Sequence, residues 1–324
     1  MASAPEVGAG VKARWTLGLG LMWVCLFGAS AHAATYYITI AGLGGEPDYE
    51  QRFQGLAGDL DKLLKESGGD LRVHTLSGKD ATRAHVNEIF GMVAREAKAE
   101  DDLVVILIGH GSFDGAEYKF NLPGPDISGS ELASLCDKIA AKRQLIVNTT
   151  SASGGVVPAL KKSGRAVITA TKSGTEKNAT VFARYWIEAM RDPAADVDKN
   201  ESISALEAFQ YAERKTAEFY ESQKRLATEH PQFEDTGKGD PVRAPASESN
   251  EGLLLSTFTL VRIGQAQRAA ADPAKRDLLA KKEALEQKID KLKYEKAAMA
   301  EDEYKNQLTA ALVELARVQQ ELDK

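Results

Sequence analysis

The sequence predicts an α/β fold with a mostly parallel sheet flanked by helices, and three features of the chain support this prediction. First, the run from Leu103 to Ile108 is entirely apolar and rich in branched residues, as in a strand buried on both faces. Second, strand-like and helix-like segments alternate on both sides of this run. Third, another apolar strand, Gln144 to Asn148, also ends in a turn of small and polar residues. We expect both turns at the carboxyl edge of the sheet, where ligands bind in such folds.

The segments before the central strand predict two further strand and helix pairs. The strand segments are rich in β-branched and aromatic residues, whereas the helix segments alternate apolar and charged residues with helical period. We expect Asp80 to be the N-cap residue of the second helix. The predicted strands are Thr35–Ala41 and Leu71–Leu76, and the predicted helices are Tyr49–Lys65 and Asp80–Ala97.

The segments after the central strand extend the same pattern. Residues 113–128 contain two glycines and two prolines, which predicts a hairpin or an excursion over the carboxyl edge of the sheet. A helix opened by Ser128 or Ser130 follows, and Cys136 lies on its apolar face as a core residue. Arg165–Ala170 is a further strand, and we expect the residues after it to line the same edge as the two turns.

Composition describes a soluble protein with one sizeable core and an appendage. The chain has 324 residues, of which 43% are hydrophobic and 27% charged, with a formal net charge of −6. This mild acidity argues against a nucleic-acid partner.

The N-terminal residues are typical of a signal peptide. Lys12 and Arg14 precede an apolar run, residues 15–29, and the triplet Ala31-His32-Ala33 matches a cleavage site, so cleavage is expected after Ala33. An uncleaved membrane anchor is the alternative, but the run is short and the cleavage signal follows at once. We therefore expect an exported protein, periplasmic or secreted, with no stable membrane span after removal of the signal. The mature chain then retains only Cys136 and has no intramolecular disulfide.

Two side chains are candidates for chemistry at the sheet edge. His110 follows the central strand between two glycines, where it can act as a general base or a proton donor. The alternative is a strand-end histidine that is satisfied by a nearby carbonyl group. Ser151 lies in the turn after Gln144–Asn148, so it is expected to emerge beside His110 at the same edge.

These residues carry a resemblance to a known family. The His-Gly pair at His110 and the run Thr149-Thr150-Ser151-Ala152-Ser153-Gly154 resemble the two catalytic turns of the legumain and caspase clan of cysteine peptidases, closest to the legumain-like (C13) branch. The resemblance covers residues 35–170 and implies a caspase/legumain-like fold. It also implies that His110 matches the catalytic histidine, that Ser151 occupies the position of the catalytic cysteine, and that the amides of Gly111 and Ser151 match the oxyanion donors.

Two departures from the family pattern bear on activity. A serine hydroxyl is harder to ionise than a thiol, so Ser151 is poorly activated without a tightly held base. Legumains also have an orienting asparagine after the first strand, where this chain has Leu43, Gly44 and Gly45. These features favour a degenerate, non-cysteine site that binds a peptide or protein. The alternative is an active hydrolase that uses Ser151 with His110, because oxyanion donors alone accelerate acyl transfer.

A second motif predicts a calcium site of the EF-hand type. Residues 196–207 follow a predicted helix at 180–191 and precede a long helix from Ser204 to about Thr228, and they fill the ligand positions of a twelve-residue calcium loop. Glu201 stands where such loops have glycine, at a cost of about 1 kcal/mol. A solvated acidic helix cap is the alternative. The predicted ligands at positions 1, 3, 5, 7, 9 and 12 are Asp196, Asp198, Asn200, Ser202 through its carbonyl, Ser204 and Glu207.

The remaining segments predict an accessory region. Residues 229–240 form an acidic loop that is either a second, poorer cation site or a cover over the cleft, and residues 252–263 predict a strand at the sheet edge. From Pro273 onward, two apolar stripes that are out of heptad phase predict a helical hairpin or coiled coil for packing, protein contact or oligomerisation. The expected divisions are a signal peptide at 1–33, the α/β domain at 34–175, the EF-hand-like region at 176–264 and the C-terminal helices at 265–324.

Overall fold

The computed structural model describes residues 33–324, so the predicted signal segment, residues 1–32, lies outside the described residues. In the part that is described, no helix has both the length and the apolar character needed to cross a lipid bilayer.

The first half of the described chain alternates strands and helices as predicted, except that three short strands, β4 to β6, follow β3 directly and form a small sheet of their own. Its elements are β1 (Thr35–Ala41), α1 (Pro47–Glu66), β2 (Leu71–Leu76), α2 (Arg83–Glu96), β3 (Asp102–Ile108), β4 (Gly111–Phe113), β5 (Tyr118–Phe120), β6 (Ile127–Ser128), α3 (Gly129–Asp137), β7 (Arg143–Asn148), α4 (Val157–Leu160) and β8 (Arg165–Thr169).

The second half contains mainly helices with three short strands. Its elements are α5 (Phe182–Ala189), β9 (Ser202–Ser204), α6 (Ala205–Ser222), β10 (Gln232–Glu234), α7 (Leu253–Ser256), β11 (Thr259–Arg262), α8 (Gly264–Ala271), α9 (Arg276–Glu295) and α10 (Glu301–Leu322).

The central sheet has six strands in the order β10-β8-β7-β3-β1-β2. The five strands from β8 to β2 are parallel, and β10 is antiparallel to β8. In the register of the sheet, Ile108 of β3 is opposite Ala41 of β1, and Leu107 is opposite Asn148 of β7. The prediction of a mostly parallel sheet flanked by helices is therefore confirmed, and the turns after β3 and β7 are neighbours at its carboxyl edge.

The central strand β3 contributes to two cores, one on each face of the sheet. Val104, Ile106 and Ile108 belong to a cluster with α1, α5 and α6, whereas the alternate residues Leu103 and Val105 belong to a cluster with α2 and α3. Burial of each such side chain stabilises the fold by roughly 1.5–3 kcal/mol. This two-sided burial explains why the run is apolar at every position.

Two predictions about helix starts have different outcomes. Ser128 caps α3 in a capping box with Glu131, as one of the two alternatives predicted, and Cys136 is fully buried in the core. The prediction that Asp80 caps the second helix is wrong. Residues 78–80 form a separate turn, and Thr82 is the N-cap of α2 because its side chain accepts the His85 amide at 3.3 Å.

The prediction of one edge strand over residues 252–263 is also wrong. The buried carboxylate of Asp235 accepts the amides of Gly252 and Leu255, and these hydrogen bonds hold residues 253–256 as α7. Only Thr259–Arg262 is extended, and it pairs with β9 in a separate two-stranded sheet. The central sheet instead ends in β10, which comes from the predicted acidic loop.

The C-terminal helices α9 and α10 pack as an antiparallel pair. Lys275 at the start of α9 donates to the carbonyl of Leu322 at the end of α10, and Lys281 forms an ion pair with Glu314. The prediction of two separate helices is confirmed, with α8 as an additional helix before them. The apolar stripe that the sequence predicts on α10 faces inward except at one position, because Val318 is buried whereas Leu312 is 48% exposed. The other stripe residues, Leu308, Leu315 and Leu322, are half-buried.

Candidate functional site

His110 leaves the carboxyl end of β3 and lies against helix α1. Its ring makes edge contacts with Tyr49 and Phe53, at centroid distances of 4.7 and 5.1 Å. Gly109 before it has a φ of +150°, and a Cβ there would lie 3.3 Å from the ring of Phe120. Glycine thus allows the chain to turn tightly from the strand, and two aromatic rings hold the imidazole in place.

The environment of His110 favours the neutral imidazole. Burial lowers its pKa most, and the positive charge of Arg52 lowers it further. A hydrogen bond with the Gly44 backbone and the negative charge of Glu46 each raise the pKa, but the net shift is downward. A neutral imidazole can accept a proton. The Gly44 backbone contacts the histidine from the turn where legumains have the orienting asparagine.

Ser151 is held by the backbone of Gly111. Its hydroxyl donates to the Gly111 carbonyl at 3.0 Å and accepts from the Gly111 amide at 3.1 Å. The residue is only 2% exposed. Ser151 therefore contacts the residue that follows His110, but both hydrogen bonds of its hydroxyl are to backbone atoms. Direct contact between the serine hydroxyl and the imidazole stays a prediction.

Gly111 is required by this close approach. A Cβ at this position would lie 2.5 Å from the Tyr118 ring and 2.6 Å from the Ser151 carbonyl. The Gly111 amide, which the family resemblance assigns to the oxyanion site, donates to the Ser151 hydroxyl. An oxyanion at this amide would have to displace the serine hydroxyl.

A buried polar network supports the turn that contains Ser151. The Tyr118 hydroxyl lies 2.6 Å from the Thr150 hydroxyl and 3.3 Å from the Asn148 side-chain oxygen, and Thr150 donates to the same oxygen at 2.8 Å. Tyr118 and Asn148 were not singled out in the sequence, because their partnership joins two elements that are far apart in the chain. The network fixes the turn at the end of β7.

The segment after β8 also contacts the Ser151 turn, as expected for a lining segment. Ala152, with a φ of +56°, donates its amide to the Glu176 carbonyl at 2.7 Å. The Thr180 hydroxyl donates to the Thr149 carbonyl at 2.5 Å. Backbone on both sides of Ser151 is thus tied to residues 176–180.

The start of helix α5 is capped by a buried acid from the predicted acidic loop. The Glu229 carboxylate accepts the amides of Val181 and Phe182 at 2.7 and 3.3 Å and the Tyr220 hydroxyl at 3.0 Å. Burial raises the pKa of Glu229 to about 7 in spite of these donors. Together with β10, this cap shows that residues 229–234 support the sheet edge.

The predicted calcium loop brings three of its acidic side chains together. Carboxylate oxygens of Asp196, Asp198 and Glu207 lie within 4.8 Å of one another, and within residues 33–324 this is the only cluster of three such ligating side chains. Desolvation and then the charge of Glu207 raise the pKa of Asp198 to about 6. Three hard oxygen donors with mutual repulsion fit a divalent cation such as calcium.

The other predicted ligands lie in the hydrogen-bonded turns of the same loop. The Asn200 side-chain oxygen accepts the Ser202 amide at 2.7 Å, and Ser204 and Glu207 form a capping box at the start of α6. Both the calcium loop and the helix cap that was its alternative are thus compatible with the geometry. Ligation by Asn200, Ser202 and Ser204 stays a prediction.

Glu201, at the position where calcium loops have glycine, has a role that sequence spacing does not show. Its φ is +67°, its carbonyl accepts the Ile263 amide at 2.9 Å, and its carboxylate accepts the Ala266 amide at 3.0 Å. The carboxylate thereby caps helix α8. Lys282 of α9 donates to the Asn200 carbonyl at 2.8 Å, so the loop is also attached to the C-terminal helices.

Comparison with known proteins gives structural similarity only. No family model matches the chain, and no curated protein matches it. Among solved structures, a structural-genomics protein from Geobacter sulfurreducens has 14% identity and a TM-score of 0.44, covering 68% of this chain and 96% of its own. Caspase-1 from Spodoptera frugiperda has 13% identity and a TM-score of 0.44, covering 63% and 87%. The Drosophila initiator caspase Dronc has 12% identity and a TM-score of 0.40, covering 78% and 99%.

Proposed function

We propose that this chain is an exported, calcium-binding protein of caspase/legumain-like fold. In this proposal, the His110/Ser151 edge is a degenerate, non-cysteine peptidase site that binds a peptide or protein partner. The proposal combines the family resemblance in the two turns with the geometry of the sheet edge and of the loop at residues 196–207.

The engagement of Ser151 with Gly111 is the observation that carries the choice of binding over catalysis. A serine nucleophile needs a base that removes its proton during attack. Here the hydroxyl proton is directed to the Gly111 carbonyl, and the Gly111 amide is directed to the hydroxyl. Catalysis would require both hydrogen bonds to be exchanged for others.

The surface beside His110 suits a peptide ligand. Leu43 is 40% exposed in the turn after β1, and Arg52 lies over the Tyr49 ring at 4.6 Å. The exposed apolar side chain of Leu43 offers burial to an extended peptide, and the guanidinium group over the Tyr49 ring offers polar and stacking contacts.

An active-site serine probe tests the choice between binding and hydrolysis. The mature chain should react with a fluorophosphonate no faster than its Ser151→Ala variant does. Labelling that disappears in both Ser151→Ala and His110→Ala would instead establish the serine hydrolase.

A displayed peptide library tests the binding site itself. Peptides selected on the mature chain should lose most of their affinity for the Leu43→Asp variant, because a charge then replaces the exposed apolar contact. Leu226→Asp is the matched control, since Leu226 is 91% exposed in a different part of the chain. If the selected peptides bound the mature chain, Leu43→Asp and Leu226→Asp with equal affinity, the binding site would not include Leu43.

The proposal of export is tested by the N-terminus of the exported protein. Mass spectrometry of periplasmic or secreted material should give a chain that starts at Ala34, because the cleavage triplet ends at Ala33. An intact Met1 in that material would contradict the proposal.

The C-terminal helices are a second proposed contact surface. Helix α10 packs on α9, and its Leu312 and Val313 are each 48% exposed on the outer side. We expect this side to contribute to protein contact or oligomerisation. Light scattering of the mature chain and of a Leu312→Lys variant should then differ in mass, whereas two identical monomeric masses would contradict self-association.

A further inference from the structure

The first residue of the proposed mature chain is hydrogen-bonded to a buried carboxylate. The Ala34 nitrogen donates to Asp101 Oδ1 at 2.8 Å, and the other Asp101 oxygen accepts the Lys98 amide at 2.7 Å. Ala34 is 8% exposed and Asp101 5% exposed. Ala33, on the other side of the peptide bond, is exposed. A buried acid is therefore fixed at the position where processing would create a free amine.

The charges that act on Tyr36, a neighbour of Asp101, are more negative than positive. Burial and then the charges of Asp101 and Glu96 raise the pKa of the neighbouring Tyr36, and Asp70 acts in the same direction. Within residues 33–324, Arg72 opposes this effect on the pKa of Tyr36, and Arg72 is paired with Asp70 at 3.1 Å. Among the described residues, the partners of the Asp101 carboxylate are amide donors and no cation. Such a buried carboxylate is costly, because amide donors replace only part of its hydration.

We propose that Asp101 is the binding site for the α-ammonium group that cleavage after Ala33 creates. This inference rests on the proposed export and processing of the chain. The step is a hydrolysis that a host peptidase carries out with one water molecule. The Ala33–Ala34 peptide bond breaks, Ala33 leaves as a carboxylate, and the Ala34 nitrogen becomes a protonated amine. Its hydrogen bond to Asp101 then becomes an ion pair.

The backbone around Ala34 makes this pairing specific for one chain start. The Ala34 carbonyl accepts the Asp102 amide at 2.9 Å, and the Thr35 amide donates to the Asp70 carbonyl at 3.0 Å. These contacts set the position of Ala34 along β3. A chain that begins one residue earlier carries its ammonium group about 3.3 Å further along the strand direction, away from Asp101.

Thermal unfolding of three forms tests the ion pair. Residues 33–324 form one compact unit, so chains that start at Ala33 and at Ala34 are suitable, together with an Ala34 chain whose N-terminus is acetylated. The free Ala34 chain should melt on the order of 2 °C higher than the other two. The difference should disappear in Asp101→Asn and persist in the control Asp70→Asn, whose carboxylate does not contact Ala34. Equal melting temperatures for all three forms would overturn the proposal.

A titration gives a second readout that does not depend on the folding of a variant. In the free Ala34 chain, the α-ammonium should titrate above the ordinary range of about 7.7–8.0, as followed by NMR of isotopically labelled alanine. Titration within or below that range would overturn the ion pair. Failure of the proposed processing is detected separately, because the exported protein would then have a different first residue, whereas the behaviour of the Ala34 chain would be unchanged.

Discussion

The Ser151 hydroxyl and the Gly111 backbone exchange two hydrogen bonds, of 3.0 and 3.1 Å, across the ends of β7 and β3. This pairing occupies the hydroxyl as donor and as acceptor. It also occupies the amide that the family resemblance assigns to an oxyanion. The contact that holds the two turns together thus opposes attack by the Ser151 hydroxyl and binding of an oxyanion at the Gly111 amide.

Restoring a thiol tests whether the nucleophile is the only degenerate part of the site. In Ser151→Cys, we expect iodoacetamide labelling at residue 151, because sulfur is a stronger nucleophile and a weaker hydrogen-bond partner for Gly111. Labelling should fall several-fold when His110→Ala is added. The natural Cys136 gives little background, because burial raises the pKa of its thiol to about 12. Labelling that is independent of His110 would mean that the imidazole does not serve this position.

We expect calcium to raise the melting temperature of the chain that starts at Ala34. An ion that binds only the folded state stabilises it by about 2.7 kcal/mol at a hundredfold excess over Kd. Glu207→Gln should remove most of this shift while leaving the capping box, in which glutamine is also accepted. Glu131→Gln is the matched control, because Glu131 forms the equivalent capping box on α3. Equal calcium shifts in both variants would place the ion elsewhere.

Glu229 should make the stability of the fold depend on pH in a defined direction. Burial raises its pKa from 4.5 to about 7, so between these values the folded state binds more protons than the unfolded state. Its contribution to stability is therefore greatest at low pH and is lost as pH rises through this window. In urea unfolding, the stability of the parent relative to Glu229→Gln should fall from pH 5 to pH 8. A relative stability of the parent that rises with pH would contradict this assignment.

Two glycine substitutions should act in opposite directions. Gly111→Ala should destabilise the chain by about 1–3 kcal/mol, because its Cβ would lie 2.5 Å from the Tyr118 ring. Gly55→Ala, inside helix α1, should stabilise it by about 1 kcal/mol, because nothing lies within 4 Å of the added Cβ. Denaturant unfolding measures both effects, and destabilisation by Gly55→Ala would show a helix environment different from the one described.

The sequence identifies those parts of the fold in which local pattern and burial coincide. β3 is apolar from Leu103 to Ile108 because both of its faces are covered there, and β1 and β2 have the predicted bounds. The errors occur where a distant side chain decides the local structure. The Asp235 carboxylate holds residues 253–256 in a helix, although their composition favours a strand.

The candidate site shows the same division between local and distant information. The spacing of residues indicates that His110 and Ser151 leave neighbouring strands, which the sheet order places side by side. Spacing does not indicate that the Ser151 hydroxyl prefers a backbone partner, or that Glu201 caps α8. Both contacts depend on residues that are neighbours only in the folded structure, and the spacing of residues in the sequence does not show them.

Helix α5 begins next to the turn of Ser151 and ends before the loop at residues 196–207. Its eight residues span about 12 Å. At its first turn, the Glu229 carboxylate and the Thr180 contact with Thr149 attach it to the sheet edge. A displacement of the loop along the helix axis would therefore be transmitted almost undiminished to the sheet edge at Ser151, because so short a helix bends little.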